Sequence, residues 1–454
     1  MQLTLQIHWE NKWRDAGIIR FRDPAKGLEG SPTFSYDTAY TVDALERLGD
    51  FDSTALIDKT AVGVNIPCRF GGDFTEGEIA PVLRDIIPQG ASRRLWVKML
   101  GFDRDPEQAI DTKLLAEGCI APIGNLRIKE AALTFDEKLA DATPGLFTRH
   151  EVCERADNLI EYAYQLGIAI GGATGAGGDA PKLLMVENHK GQFAFEGAIP
   201  EDDIREHWLV KFPRGRKTQD DINVLKGEAA IYKTLEARGF NSIPNTHIDE
   251  RKGQYALWMP RFDREVANGV VTRNGVESIY SMMGRIGDGA ALNHTEILTR
   301  LRDKTSIPEV KDALLADYLA RDLLNIAIGN KDNHGRNTAL IKRDKDIELA
   351  PAYDVAPMVL DPEGIARTTR WPNKLLKRNG EPDYAAIVDV YACDLELATD
   401  LLGKQLKKLT NLKADLEAHG APDAMFKSAG VKLQAAEQVL DDLEKLREAG
   451  PAPR

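Results

Sequence analysis

Asp332 and Asn337 stand in the segment GNKDNHGRN, and Asp354 follows in APAYDVAP. A D-x-x-x-x-N spacing lets one loop carry two functions: a carboxylate that accepts a hydroxyl proton and a carboxamide oxygen that binds a metal. Taken alone the spacing is weak, because a polar turn rich in Asn, Asp and Gly has the same composition. Asp354 lies just past a second predicted strand, where a carboxylate at the end of a hairpin can face the loop that opened it. The plainer alternative is an Asp capping a turn next to Pro357. As a set, Asp332 as base with Asn337 and Asp354 as metal ligands fits phosphoryl transfer. That reaction needs a held triphosphate, Mg²⁺ to neutralise its charge, and a nucleophile aimed in line.

Lys211 sits among Leu209, Val210 and Phe212 in an apolar strand. A lysine there is costly unless its ammonium finds a partner; Glu228, in the next predicted helix, and ATP phosphates are the candidates. A snorkelling lysine on a half-exposed face is the alternative. Upstream, residues 171–178 read GGATGAGG, with Lys182 beyond them. Glycines let backbone N–H groups wrap phosphate oxygens, so Gly175, Gly177, Gly178 and Lys182 are candidate nucleotide contacts. The segment is neither a Walker A sequence nor G-x-G-x-x-G, and a flexible loop has the same composition. After the strand QYALWM comes Pro260-Arg261-Phe262-Asp263-Arg264. A hinge there would need a backbone donor for an adenine edge, and since Pro260 has no N–H, Phe262 is the candidate.

These residues need elements to hold them. Leu3, Leu5 and Ile7 alternate with Thr4, Gln6 and His8, the pattern of a half-buried strand; GIIRFR and TFSY continue it. A helix-like stretch over 83–100, broken at Pro88 and Gly90, completes a small α+β domain ending near 145. Residues 134–145 are expected to be a linker with Pro144-Gly145 as its breaker. The apolar pattern then predicts a helix over 151–167, strands at KLLMVE, QFAF and HWLVKF, a helix over 223–238, and the strand QYALWM. Beyond Val310 helices dominate: 313–328, 395–417 and 431–447, with a hairpin over 338–349. The class is α+β, with residues 1–145 as an N-terminal domain, 146–265 as a sheet lobe and 266–454 as a helical lobe. That is the order of a bilobed protein-kinase-like core.

The bulk numbers narrow the field. The chain has 454 residues, too many for one core. Its net charge of −12 argues against an autonomous grip on nucleic acid, which needs clustered Lys and Arg; the patch at 212–217 reads as a solvated turn. Cys68, Cys119, Cys153 and Cys393 have neither metal-ligand nor disulfide-framework spacing. The start MQLTLQIHWENKW is not a signal peptide, and no apolar run is long enough to span a bilayer. A cytoplasmic location is expected.

Taken in order, the motifs resemble the HipA family of kinase toxins from bacterial toxin–antitoxin modules, over nearly the whole chain. FSYD and VLRDIIPQGASRR are similar to its N-terminal domain, GGATGAGGDAPKLL to its loop ending in Lys, and LVKFP to its nucleotide-lysine strand. RFDR resembles the segment after its hinge, GNKDNHGRN its catalytic loop and APAYDVAP its metal-binding Asp motif. The resemblance implies a Ser/Thr kinase in which Lys211 contacts ATP, Asp332 is the base, and Asn337 and Asp354 hold Mg²⁺. It also implies a protein substrate, aminoacyl-tRNA synthetases being known ones, and a small helix-turn-helix antitoxin through which operator DNA is reached. The family often carries an autophosphorylated serine in its glycine-rich loop. Here that position is Gly175, leaving Thr174 as the neighbouring hydroxyl. Two other classes remain open: a small-molecule phosphotransferase of the aminoglycoside or choline kind, and a non-catalytic corepressor that binds an antitoxin.

Overall fold

The structure, a computed structural model, describes residues 1–48, 58–140, 145–155, 159, 163, 180–214, 218–287, 289–343 and 347–449. Strands and helices are both abundant, and the chain is a mixed α/β protein. It divides into two compact units. The first comprises Met1–Gly215, Ile248–Ile286 and Leu340–Glu348; the second comprises Arg216–His247, Gly287–Ala339 and Leu349–Arg454.

The first unit opens with a four-stranded sheet in the order Pro32–Tyr36, Lys12–Phe21, Gln2–Trp9, Leu126–Ile128. Its pairs are antiparallel. The expected alternation holds: Leu3, Leu5 and Ile7 join one core with Phe34, Ile79, Leu83 and Leu114. The break foreseen at Pro88 and Gly90 separates the helices Glu76–Ile86 and Gly90–Met99. The linker expected over 134–145 begins later than the sequence suggested. A helix spans Lys129–Ala140, because Ala131, Ala132 and Phe135 fall on one face and are buried. Residues 141–144 lie outside the described set.

A second sheet of the same unit has the order Phe193–Phe195, Lys182–Asn188, Ile204–Lys211, Gln254–Pro260, His247–Arg251. Leu183, Met185, Val210, Ala256 and Trp258 fill the core on one of its faces. Of the helix expected over 151–167, the described part is Arg149–Glu154, started by a Thr148–Glu151 capping box.

The segment after Gln254–Pro260 holds a buried ion network. The Arg261 guanidinium donates to Asp263 at 3.0 and 2.6 Å, to Glu196, and to the Pro122 carbonyl at 3.0 Å. Arg264 donates to Asp263 at 2.7 Å, to Glu196 at 3.3 Å and to the carbonyls of Gly124 and Pro122. Asp263 in turn accepts the Gly124 N–H at 2.7 Å. Two cations face two carboxylates with nearly every donor used, the condition under which buried charge is tolerated. Burial alone would raise the Glu196 carboxyl, but Arg261 and Arg264 outweigh it and hold the group well below its ordinary value.

The second unit is mainly helical. Its central helix, Pro308–Ala327, carries Asp322, which is buried and accepts from Trp371 Nε1 at 2.8 Å, Tyr384 OH at 2.8 Å and Arg367 at 3.2 Å. His294 stacks on Trp371 with ring centroids 4.6 Å apart and bonds Tyr318 OH through Nδ1 at 2.8 Å. The helix expected over 395–417 is two, Leu395–Lys407 and Leu412–Ala418. Asn411 between them is left-handed, and Arg238 binds the Thr410 and Asn411 carbonyls exposed by the break, together with Asp415. A guanidinium at the end of the helix Gln219–Ala237 thus holds the turn between the two helices.

Two outcomes follow from the buried charges. Replacing Glu196 with Gln leaves the two guanidinium groups short of an anion, and a loss of roughly 3–5 kcal/mol is expected in denaturant unfolding. Burial lowers the His294 pKa from 6.5 to about 4. Between those values the unfolded chain takes up a proton that the folded one refuses, so stability falls as pH drops through this window. Denaturant midpoints from pH 7 to 4 should show that slope, and His294→Phe should flatten it.

Candidate active site

The Pro308–Ala327 helix delivers the chain directly into the loop 329–338. Its last turn presents Asn325, whose Oδ1 accepts from Asn330 Nδ2 at 2.8 Å, and whose carbonyl accepts the Asn330 N–H at 2.8 Å. The other Asn330 amide hydrogen goes to the Asp354 carbonyl at 3.1 Å, and its Oδ1 accepts the Asp332 N–H at 3.1 Å. One carboxamide therefore ties the helix, the Asp332 loop and the Asp354 segment together.

Asn337 closes the loop by donating Nδ2 to the Asp332 carbonyl at 2.6 Å. A carbonyl can only accept, so the –NH₂ must face it and Oδ1 is turned the other way. The expected D-x-x-x-x-N pair is thus joined by a side-chain to main-chain bond that leaves Asn337 Oδ1 out of this contact. His334 Nε2 stands 3.7 Å from Asp332 Oδ1.

Asp354 has φ +54°, rare for a residue with a side chain. Its N–H donates to Tyr232 OH at 2.9 Å, so both main-chain groups that flank the carboxylate are fixed. Tyr232 lies on the helix Gln219–Ala237, one turn after Glu228, and both are fully buried. Burial first, then the Glu228 and Asp354 carboxylates, push the Tyr232 phenol well above its ordinary range. The same helix meets the following residues closely: a Cβ on Gly227 would lie 2.5 Å from Pro357 Cγ. Among the described residues no three His, Cys, Asp or Glu side chains form a metal-binding group. Asn337 and Asp354 instead offer two hard oxygen donors, a set that suits a cation keeping water and substrate ligands.

The first unit holds the other candidates. Lys182 and Lys211 are register partners on adjacent antiparallel strands. Directly opposed side chains share a face, with Cβ atoms roughly 4.5–5.5 Å apart, and like charges so placed repel. Both lysines are buried, on the face opposite Leu183, Val210 and Trp258. The strand register therefore sets the two candidate lysines side by side on this face. Phe262 is half-buried, between Arg261 and Asp263 of the ion network. Glu228, expected beside Lys211, belongs to the second unit while Lys211 belongs to the first. Thr174, Gly175, Gly177 and Gly178 lie outside the described residues.

Sequence reasoning passed over Asn330 and Tyr232. Asn330 was within the quoted motif, and Tyr232 is four residues from Glu228, on the same helical face.

Comparison with known proteins identifies the family of the chain. Residues 174–417 match the family described as the HipA-like C-terminal domain. That is more than half of the chain, which belongs to the HipA family. A HipA from Shewanella oneidensis MR-1, solved with HipB and its operator DNA, shares the fold at a TM-score of 0.59 with 17% identity, covering 100% of both chains. The Helicobacter pylori proinflammatory kinase CtkA overlaps 60% of this chain and 89% of its own at 13% identity, but its TM-score of 0.34 carries no weight. No curated protein matches the chain.

Tyr232→Phe tests the support of Asp354. It removes the acceptor of a buried N–H, so a loss of about 1–3 kcal/mol is expected. Hydrogen exchange should show the Asp354 amide exchanging faster in the variant; an unchanged rate would deny Tyr232 this role.

Proposed function

We propose that this chain is an ATP- and Mg²⁺-dependent kinase that phosphorylates Ser or Thr of a cellular protein and acts as a toxin restrained by a helix-turn-helix antitoxin. The observation that supports this reading is that Asn330 bonds both the Asp332 N–H and the Asp354 carbonyl, while Asn337 donates to the Asp332 carbonyl. Asp332 takes the proton of the substrate hydroxyl as its oxygen attacks the γ-phosphorus and the bond to the departing ADP breaks. Asn337 Oδ1 and the Asp354 carboxylate hold Mg²⁺, which when bound neutralises charge on the phosphate oxygens. Lys211 and Lys182 bind phosphate oxygens, and Phe262 offers its backbone to the adenine edge. Glu228 belongs to the nucleotide-binding set of this reading, as the acidic partner of Lys211 in a protein-kinase-like core.

The Shewanella HipA is solved with HipB and operator DNA, which supports a HipB-like partner here. With a net charge of −12, DNA is reached through that partner. No helix among the described residues is long and apolar enough to cross a membrane, in keeping with a cytoplasmic site of action. With Gly175 at the family's usual serine position, restraint rests on the antitoxin more than on phosphorylation of Thr174.

The test is phosphate transfer from labelled ATP to proteins of a cell lysate. Asp332→Asn should lower transfer by roughly 10²-fold or more while ATP binding persists. Near-normal transfer by the variant removes Asp332 as the base, and transfer confined to a panel of small alcohols would make the chain a small-molecule phosphotransferase instead.

A further inference from the structure

The loop that carries Asp332 is wound around one residue, His334. Its N–H donates to the Asp332 carbonyl at 3.0 Å, and its own carbonyl accepts the Asn337 N–H at 2.9 Å. Its ring Nδ1 accepts the Arg336 N–H at 3.2 Å. That last bond fixes the chemistry of the ring. A nitrogen that accepts from a backbone N–H has its lone pair there, so in the neutral imidazole the proton sits on Nε2. Nε2 is the atom 3.7 Å from Asp332 Oδ1. The polar hydrogen is therefore on the nitrogen that lies beside one oxygen of the carboxylate, at a separation that closes to a hydrogen bond with a small shift on substrate binding.

We propose that His334 is a positioning residue for Asp332: its Nε2–H holds Oδ1 and so directs Oδ2 at the incoming hydroxyl. This rests on the kinase reading of the site. His334 moves no proton in the step. The substrate O–H bond breaks, the new O–H bond forms on Asp332, and the imidazole stays neutral with its hydrogen on Nε2. A donor at Oδ1 keeps the carboxylate charged and limits its rotation, both of which favour one productive geometry. Charge alone does not need a histidine here, since a lysine could supply more. The imidazole combines an acceptor for the Arg336 amide with a donor for the carboxylate on one rigid ring.

Two substitutions separate the acceptor from the donor. In His334→Asn the side-chain oxygen can still accept the Arg336 N–H, but the shorter side chain has no group at the former Nε2 position. In His334→Gln the longer amide places an N–H near the former Nε2. The expected result is a kcat lowered by roughly tenfold or more in His334→Asn, with KM for ATP and Tm close to wild type, and substantial recovery in His334→Gln. Nitrogen-15 NMR of the nucleotide-free protein should show the Nε2–H tautomer for His334. An unchanged kcat in His334→Asn, equal losses in both variants, a joint collapse of KM and Tm, or the Nδ1–H tautomer would each overturn the assignment. Wild-type protein that transfers phosphate to no acceptor, water included, would overturn the kinase reading and this inference with it. Turnover by wild type with an indifferent His334→Asn would overturn this inference alone.

Discussion

The carboxamide of Asn330 has three hydrogen-bonding obligations, and each leads to a different part of the second unit: the end of the Pro308–Ala327 helix, the Asp332 backbone and the Asp354 carbonyl. Both amide hydrogens and the oxygen are committed, so the side chain cannot rotate without breaking all three bonds. A buried group satisfied in this way fixes geometry more than it adds stability, because each bond replaces one to water and nets only about 1 kcal/mol. The gain is in direction. Asp332 and Asp354 are more than twenty positions apart in sequence, yet both backbones refer to the same amide, and the helix that supplies Asn325 anchors that amide to the core.

The buried charges divide into two kinds. Around Asp263 and Glu196, two guanidinium groups meet two carboxylates and several carbonyls, and the network joins the segment 122–124 to the end of the Gln254–Pro260 strand. Such a set is complete within the protein and needs no ligand. Lys182 and Lys211 are placed differently, as register partners on adjacent strands of the five-stranded sheet. Opposed like charges on one strand pair repel, whereas the arginine network sets each guanidinium against carboxylates.

Support for Asp354 comes from the helix Gln219–Ala237. Gly227 lets the helix approach Pro357, Tyr232 holds the Asp354 amide, and the left-handed backbone turns the residue in a direction that ordinary extended chain would not give. Glu228, one turn away on the same helix, lies within electrostatic range of the same phenol. A shift of this helix would therefore be felt at Asp354, a physical route by which a partner bound elsewhere on the second unit could alter the site.

Much of this was legible in the sequence. The alternation of Leu3, Leu5 and Ile7, the break at Pro88 and Gly90, and the strands that carry Lys182 and Lys211 are local patterns, set by side-chain period and by backbone-restricting residues. Asp332 and Asn337 were readable as a candidate pair, since polar types at a short spacing need only one loop to bring them close. What escaped depends on partners far away in the chain. The turn at Thr410–Asn411 is held by Arg238, the helix through Phe135 continues because that ring finds a core, and Glu228 groups with the helical unit although its neighbours in sequence lead toward the sheet. Strand register set Lys182 against Lys211, and only folding could choose it, because a one-residue slip would have sent one of the two lysines to the opposite face. The sequence by itself determined which groups are available for chemistry; tertiary structure decided which way each one points, because orientation is fixed by hydrogen bonds whose other halves lie tens or hundreds of residues away.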